Sequence, residues 1–172
     1  MPLNFQPLSM MELRSAPGEA LDRVAQKGEA FIVERNGHQM ACLVPLSVFM
    51  PDIQPARLAR EFEQLQKRQE KQTVSITDER ELNLHFRGEG PERNVTLTIL
   101  LPHGYPNASP KVSVAPIPEN CPHRWQDGTL CIFGATELWN PGQHDVLHVL
   151  RQARQWLTHF SRWQQTGEWG EE

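Results

Sequence analysis

The 172-residue chain predicts an α+β fold: a four-stranded antiparallel meander with flanking helices, preceded by a small helix and β-hairpin unit. Three observations carry this. Four runs between Val74 and Pro116 alternate apolar and polar side chains, the period of strands with one buried face. Two stretches with apolar residues at helical spacing bracket those runs and supply the surfaces that would cover a sheet. Upstream of both, Asn36-Gly37 separates two further strand-like runs, and this dipeptide most readily takes the positive φ values of a two-residue hairpin turn.

In chain order, Leu13, Leu21, Val24 and Ala25 are placed to line one face of a single helix, which Gly28 would stop. FIVER and HQMACLV then form the hairpin, with a short helix after it and Cys42 packed within it. Residues 1–50 make one unit, too small to bury a comfortable core alone, so dimerisation or docking is expected. PDIQPAR, with Pro51 and Pro55, reads as a linker over residues 51–56. The second domain, 57–172, opens on an amphipathic helix from Arg57 to Gln72 carrying Leu58, Phe62 and Leu65. The strands follow: Val74/Ile76, Leu82/Leu84/Phe86, Val95/Leu97/Ile99, and KVSVAP after the proline-rich turn LPHGYPNASP. A long irregular stretch comes next. From Asp145 a second helix carries Val146, Leu150, Ala153, Leu157 and Phe160 on one stripe.

With 17 basic and 21 acidic residues the formal charge is −4, and no basic block interrupts the chain. That balance argues against nucleic-acid or anionic-membrane binding and favours a protein partner. No apolar run is long enough to span a bilayer. Three cysteines form no secreted-scaffold pattern, and the N-terminus lacks the features of a leader peptide, so a soluble protein of the reducing cytoplasm is expected.

The irregular stretch CPHRWQDGTLCIFGATELWNP, residues 121–141, admits three readings. Cys121, His123, Cys131 and His144 are chemically fit to bind zinc, but structural zinc sites offer two short ligand pairs, and no second pair follows here. No metal or cofactor is expected. Cys131 could equally be a small buried hydrophobe ahead of Ile132 and Phe133. Against that stand the length of the loop, the neighbouring histidine and the Asp127-Gly128 turn, all suited to presenting a nucleophilic thiol.

The third reading gains from a resemblance. Residues 57–165 are similar to ubiquitin-conjugating enzyme domains, particularly compact bacterial ones. Their proline-rich turn after the third strand is matched by Tyr105-Pro106-Asn107-Ala108-Ser109-Pro110. Their His-Pro-Asn element, the glycine before the catalytic cysteine, the cysteine and a Trp-x-Pro element are matched, without a gap, by Cys121-Pro122-His123, Gly128, Cys131 and Trp139-Asn140-Pro141. The resemblance implies the ubiquitin-conjugating fold and a transferase in which Cys131 holds an acyl group as a thioester and yields it to an amine. Tyr105, Pro106, Pro110, Pro122, Gly128, Trp139 and Pro141 would be loop scaffold. Its implied partners are a ubiquitin-like or other protein joined through its C-terminus, and an activating enzyme contacting Arg57, Arg60, Lys67, Arg68 and Lys71 on the first helix. The setting it implies is phage defence or a related conflict system.

Two departures accompany the match. His123 replaces the family's asparagine and Cys121 its histidine; a histidine can donate a hydrogen bond to an oxyanion and, unlike asparagine, accept a proton near neutral pH. His123 is therefore the first choice for oxyanion or base duty, and His144 the second. The chain also stops soon after one helix, without the two C-terminal helices of eukaryotic forms. Trp156, Trp163 and Trp169 read as core or partner-contact aromatics.

Residues 12–50 resemble the N-terminal half of Phd/YefM-type antitoxins, through LDRVA, GEAFIV and ACLVP. That half dimerises and binds operator DNA in the antitoxins. Residues 1–56 carry four basic side chains (Arg14, Arg23, Lys27, Arg35) and six acidic ones (Glu12, Glu19, Asp22, Glu29, Glu34, Asp52), a net −2 that disfavours DNA and leaves homodimerisation or partner docking. Two alternatives to the transferase stay open: an inactive binding module of the same fold, and an antitoxin-type DNA-binding regulator.

Overall fold

The computed structural model describes residues 4–48, 54–88, 94–133 and 138–170. The chain divides into two compact units, Met1–Pro51 and Asp52–Glu172.

The first unit contains β1 (Phe5–Ser9), α1 (Met10–Ser15), α2 (Pro17–Lys27), β2 (Ala30–Arg35), β3 (His38–Leu43) and a 3₁₀ turn at Leu46–Val48. Two helices stand where one was expected. Ser9 and Glu12 form a reciprocal capping box that starts α1. Pro17 then forces Ala16 out of helical geometry (φ −142°, ψ 62°) and begins α2 at its first position, where the missing N–H is harmless. The break shifts the helical phase. Ala20 and Val24 face the core with Leu8, Phe31 and Val33, whereas Leu21 and Ala25 are exposed.

β1 has no counterpart in the periodicity, because Pro7 sits in its middle. Proline is tolerated there because β1 is the edge strand of the order β1-β2-β3, pairing parallel to β2. The hairpin forms at Asn36 (φ 51°) and Gly37 (φ 78°), both in the left-handed region, and Arg35 pairs with His38. Cys42, expected to pack, is exposed on β3.

Linker residues 51–53 lie outside the described residues. The next helix, α3, spans Pro55–Lys67, so positions 55 and 56 are helical and the helix ends short of Gln72. The cause is a Schellman turn: Gln69 N–H donates to Gln66 O (2.9 Å) and Glu70 N–H to Leu65 O (2.9 Å), with Gln69 at φ 57°. This position usually holds glycine, so a glutamine there gives no stop signal. Arg68 and Lys71 consequently lie beyond the helix.

β4 (Gln72–Ile76), β5 (Leu82–Arg87), β6 (Thr96–Leu101) and β7 (Lys111–Ala115) form an antiparallel meander in sequential order. Part of the β5–β6 turn, residues 89–93, lies outside the described residues. Register aligns Leu84 with Ile99 and Ile99 with Val112, and Phe86 with Leu97 and Leu97 with Val114, so one face is continuously apolar and buried. Val74 and Ile76 align with Leu84 and Leu82 but remain 50% and 42% exposed, since β4 is an edge strand beyond the cover of the helices.

α4 (Val146–Thr166) supplies that cover. Asp145 caps it by accepting from His148 N–H (2.7 Å), Gly167 ends it at φ 75°, and the whole expected stripe from Val146 to Phe160 is buried, joined by Val149 and Trp156. His123, Cys131 and Ile132 of the irregular stretch lie beside α4 residues Gln152, Gln155, Trp156 and His159.

Candidate active site

The spacing of eight residues between His123 and Cys131 has a local cause. Residues 123–131 form a small hairpin: Cys131 N–H donates to His123 O (3.0 Å), Arg124 bridges Leu130, Trp125 N–H donates to Thr129 O (2.8 Å), and Gly128 N–H closes the turn on Trp125 O (3.0 Å). Positions 123 and 131 are thus opposite one another in register. Gly128 has φ 84°, and a Cβ there would come within 3.2 Å of Arg124 Nη2, so glycine serves both the turn and the arginine packed on it. Asp127 braces the turn by accepting from Thr129 N–H (3.0 Å) and Oγ1–H (2.6 Å) and pairing with Lys111 Nζ (3.0 Å) on β7. The Thr129 hydroxyl, its N–H and then Lys111 hold the Asp127 carboxyl down to about 2. Leu130 N–H donates to Val112 O (2.7 Å), docking the hairpin on the sheet edge.

His123 stands at φ 55°, where asparagine and histidine are among the few tolerated side chains. Its carbonyl accepts from Trp156 Nε1–H (3.0 Å) as well as from Cys131. The half-buried Cys131 lines a cleft with His123, Gln152, Gln155, His159 and Trp169. Cys121, by contrast, is buried, and burial pushes its thiol pKa up, with Arg124 only partly opposing the shift. It is therefore protonated and shielded at neutral pH. Iodoacetamide at pH 7.5 should label Cys131 and the exposed Cys42 while sparing Cys121, as peptide mapping would show; rapid labelling of Cys121 would contradict this placement.

A buried ion pair frames the same region. Arg57 and Glu61, one turn apart on α3, meet at 2.5 Å and are only 8% and 2% exposed. Glu61 also accepts from the hydroxyl of Tyr105 (2.6 Å) and from Val146 N–H (2.8 Å) at the start of α4. Arg57 donates to Pro141 O (2.9 Å) and to His144 O. Burial first, then the Glu61 carboxylate, push the Tyr105 phenol well above its ordinary value, so it is a permanent donor. Trp139 Nε1–H donates to Pro106 O (2.7 Å), joining the two proline turns, and Pro106 and Pro110 are buried. Pro122 is half-buried between the buried Cys121 and the exposed His123.

His144 is set apart from the thiol. It is buried, its Nδ1 accepts from Asn140 N–H (3.0 Å), and its ring stacks on His148 (4.2 Å, 4°) within a cluster containing Phe133 and Trp139. It does not line the Cys131 cleft. Among the described residues no group of three or more His, Cys, Asp or Glu side chains is arranged to hold a metal ion.

A family model described as Type II CBASS E2 protein matches residues 54–172. The chain belongs to the Type II CBASS E2 protein family. It therefore has an E2-like, conjugating-enzyme-like domain of a bacterial anti-phage signalling system, a class that works with an E1-like activating enzyme and a ubiquitin-like partner. The α+β fold, with four antiparallel strands and flanking helices, is that expected of such a domain. No curated protein and no solved structure matches the chain. Residues 1–53 fall outside the family match. No helix among the described residues is long and apolar enough to cross a membrane.

The E2-like domain brings together His123 and Cys131 and places Tyr105, Trp139 and Pro141 around the Arg57–Glu61 pair. Arg57 is a correction: it was expected on a partner-facing surface, but its guanidinium is enclosed because it binds Glu61 and two loop carbonyls. Arg60, Lys67, Arg68 and Lys71 are exposed, with Lys67 paired to Glu63 (2.6 Å). Sequence reasoning missed Glu61, Gln152, Gln155 and His159, because each looks like an ordinary polar position of an amphipathic helix. A glutamate four residues after an arginine was the one available hint, and it reads first as a surface pair.

Proposed function

We propose that this E2-like protein carries an acyl group on Cys131. The Cys131 thiolate attacks the activated C-terminal carbonyl of a ubiquitin-like partner, expelling the donor thiol and forming a thioester. An amine then attacks that carbonyl, the C–S bond breaks, and the Cys131 thiolate is regenerated while the amine's proton passes to a base. His123 is assigned to the oxyanion, or to that proton, because its backbone is held opposite Cys131. The observation that carries the reading is the pairing of His123 with Cys131 in one hairpin at the mouth of a polar cleft, within a family match over residues 54–172. On α3, Arg60 and Lys67 are the exposed cations available to an activating enzyme, with Arg68 and Lys71 just past its end.

The test is the intact mass of the protein expressed with its neighbouring genes, as wild type, Cys131→Ser and Cys131→Ala. The expected result is an adduct on wild type that reductant removes, a reductant-stable ester on the serine variant, and no adduct on the alanine variant. Identical masses, with the same partner still co-purifying on all three, would replace the carrier by a binding module.

For residues 1–50 we propose self-association. Met11 (81%), Met40 (62%) and Leu21 (55%) expose apolar surface on a unit with a small core. Light scattering should give twice the chain mass, falling to one chain mass in Met40→Glu. A monomer that binds DNA in a steeply salt-dependent way would instead favour the antitoxin-type regulator.

A further inference from the structure

We infer that Trp169 is the positioning residue that holds the His123 imidazole beside Cys131. The inference deepens the carrier reading and rests on it. His123 presents an unusual problem: its backbone is pinned at φ 55° by two donors to its carbonyl, yet the residue is exposed, so the backbone alone does not orient the ring. An asparagine at such a position reaches nearby backbone through a short amide. The longer imidazole has two side-chain torsions to settle, and a catalytic donor must be aimed before the oxyanion forms.

Trp169 settles them. Its indole lies face to face with the His123 ring, with centroids 4.6 Å apart and planes 18° apart. The indole is itself seated, tilted against Trp156 (5.1 Å, 59°) and stacked toward His159 (6.1 Å, 25°). Trp156 is the residue whose Nε1–H also binds the His123 carbonyl, so one indole anchors both the histidine backbone and the aromatic that faces its ring.

The path that delivers Trp169 is specified as closely. Gly167 turns the chain at φ 75° after α4, and Glu168 N–H donates to Thr166 Oγ1 (3.1 Å). Gly170 is buried, and a Cβ there would lie 2.5 Å from His159 Nδ1. A larger residue at 170 would require the His159 ring or the segment itself to shift. Trp169 thus belongs to the site although it lies outside every motif that points to it.

Proton NMR on the full chain tests the contact directly. His123 ring protons, assigned by their loss in His123→Ala, should be shifted upfield by the indole ring current. Most of that shift should survive in Trp169→Phe and vanish in Trp169→Ala. For function, Cys131 is loaded with a glycine-terminated peptide supplied as its mercaptoethanesulfonate thioester, which exchanges without an activating enzyme, and discharge to free lysine is followed by mass. Trp169→Ala should slow discharge about as much as His123→Ala, Trp169→Phe should restore most of the rate, and the double variant should be no slower than His123→Ala alone. The amount of thioester formed on Cys131 is measured for each variant, and each discharge rate is taken per loaded molecule. An unchanged ring shift in Trp169→Ala, or rate losses that multiply in the double variant, would overturn the assignment. Absence of Cys131-dependent acylation in the wild type would overturn the carrier reading and any part of Trp169 in discharge, while the ring shift reports on the contact in either case.

Discussion

Glu61→Ala is expected to lower the unfolding free energy by about 3–5 kcal/mol, the range for breaking a buried ion pair from one side. The loss is large because three groups depend on that carboxylate: the enclosed Arg57 guanidinium, the Tyr105 hydroxyl and the first N–H of α4. Arg57 would keep its two loop carbonyls but lose its counter-charge, while the Tyr105 hydroxyl and the Val146 N–H would lose the acceptor they share, and an unpaired buried donor costs far more than a paired one contributes. Replacing both members, as in Arg57→Met with Glu61→Leu, should recover much of the stability, since a well-packed apolar pair of similar volume often equals a buried ion pair. Urea denaturation of the two single variants and the double variant checks this. Single-variant losses that simply add in the double variant would show that the two residues do not act as a pair.

His123→Ala should slow discharge of the Cys131 thioester by about 100- to 1,000-fold, the usual cost of removing one oxyanion donor. Thermal stability should change far less, since alanine in the left-handed region costs only about 1–2 kcal/mol. His123→Asn keeps both the tolerance for φ 55° and a side-chain donor, so it should discharge much faster than the alanine variant. Single-turnover discharge beside thermal melts separates the possibilities. Parallel loss of melting temperature and rate in both variants would make His123 a packing residue.

The two large effects lie on residues of very different visibility. His123 could be found from the chain through the family resemblance, and the structure shows what fixes its spacing to Cys131: a nine-residue hairpin with its own turn chemistry, Asp127-Gly128. Glu61 could not, because its partners Tyr105 and Val146 come from remote segments that meet only when α3 and α4 pack. His144 shows the converse. It has the right chemistry beside the Trp-x-Pro turn, but that turn points its Nδ1 at the Asn140 N–H, and its ring stacks on His148.

Helix boundaries divide the same way. Asp145 and Gly167 mark the ends of α4 with residues that have one dominant use, whereas the Schellman turn at Gln69 carries no such residue. The edge strand β1 hides behind Pro7, and the exposure of Val74 and Ile76 depends on how far the helices reach across the sheet.

By itself, then, the amino-acid sequence determined the α+β class, the order of the meander and the stripe of α4. All of these follow from short-range periodicity and turn stereochemistry, whereas His123 and Cys131 were singled out through a family resemblance. Only the tertiary structure decided that Arg57 turns inward to Glu61, that His144 stands outside the cleft, and that Trp169 returns to face His123. Those outcomes depend on which distant surfaces exclude water together, and no local pattern of residues encodes that.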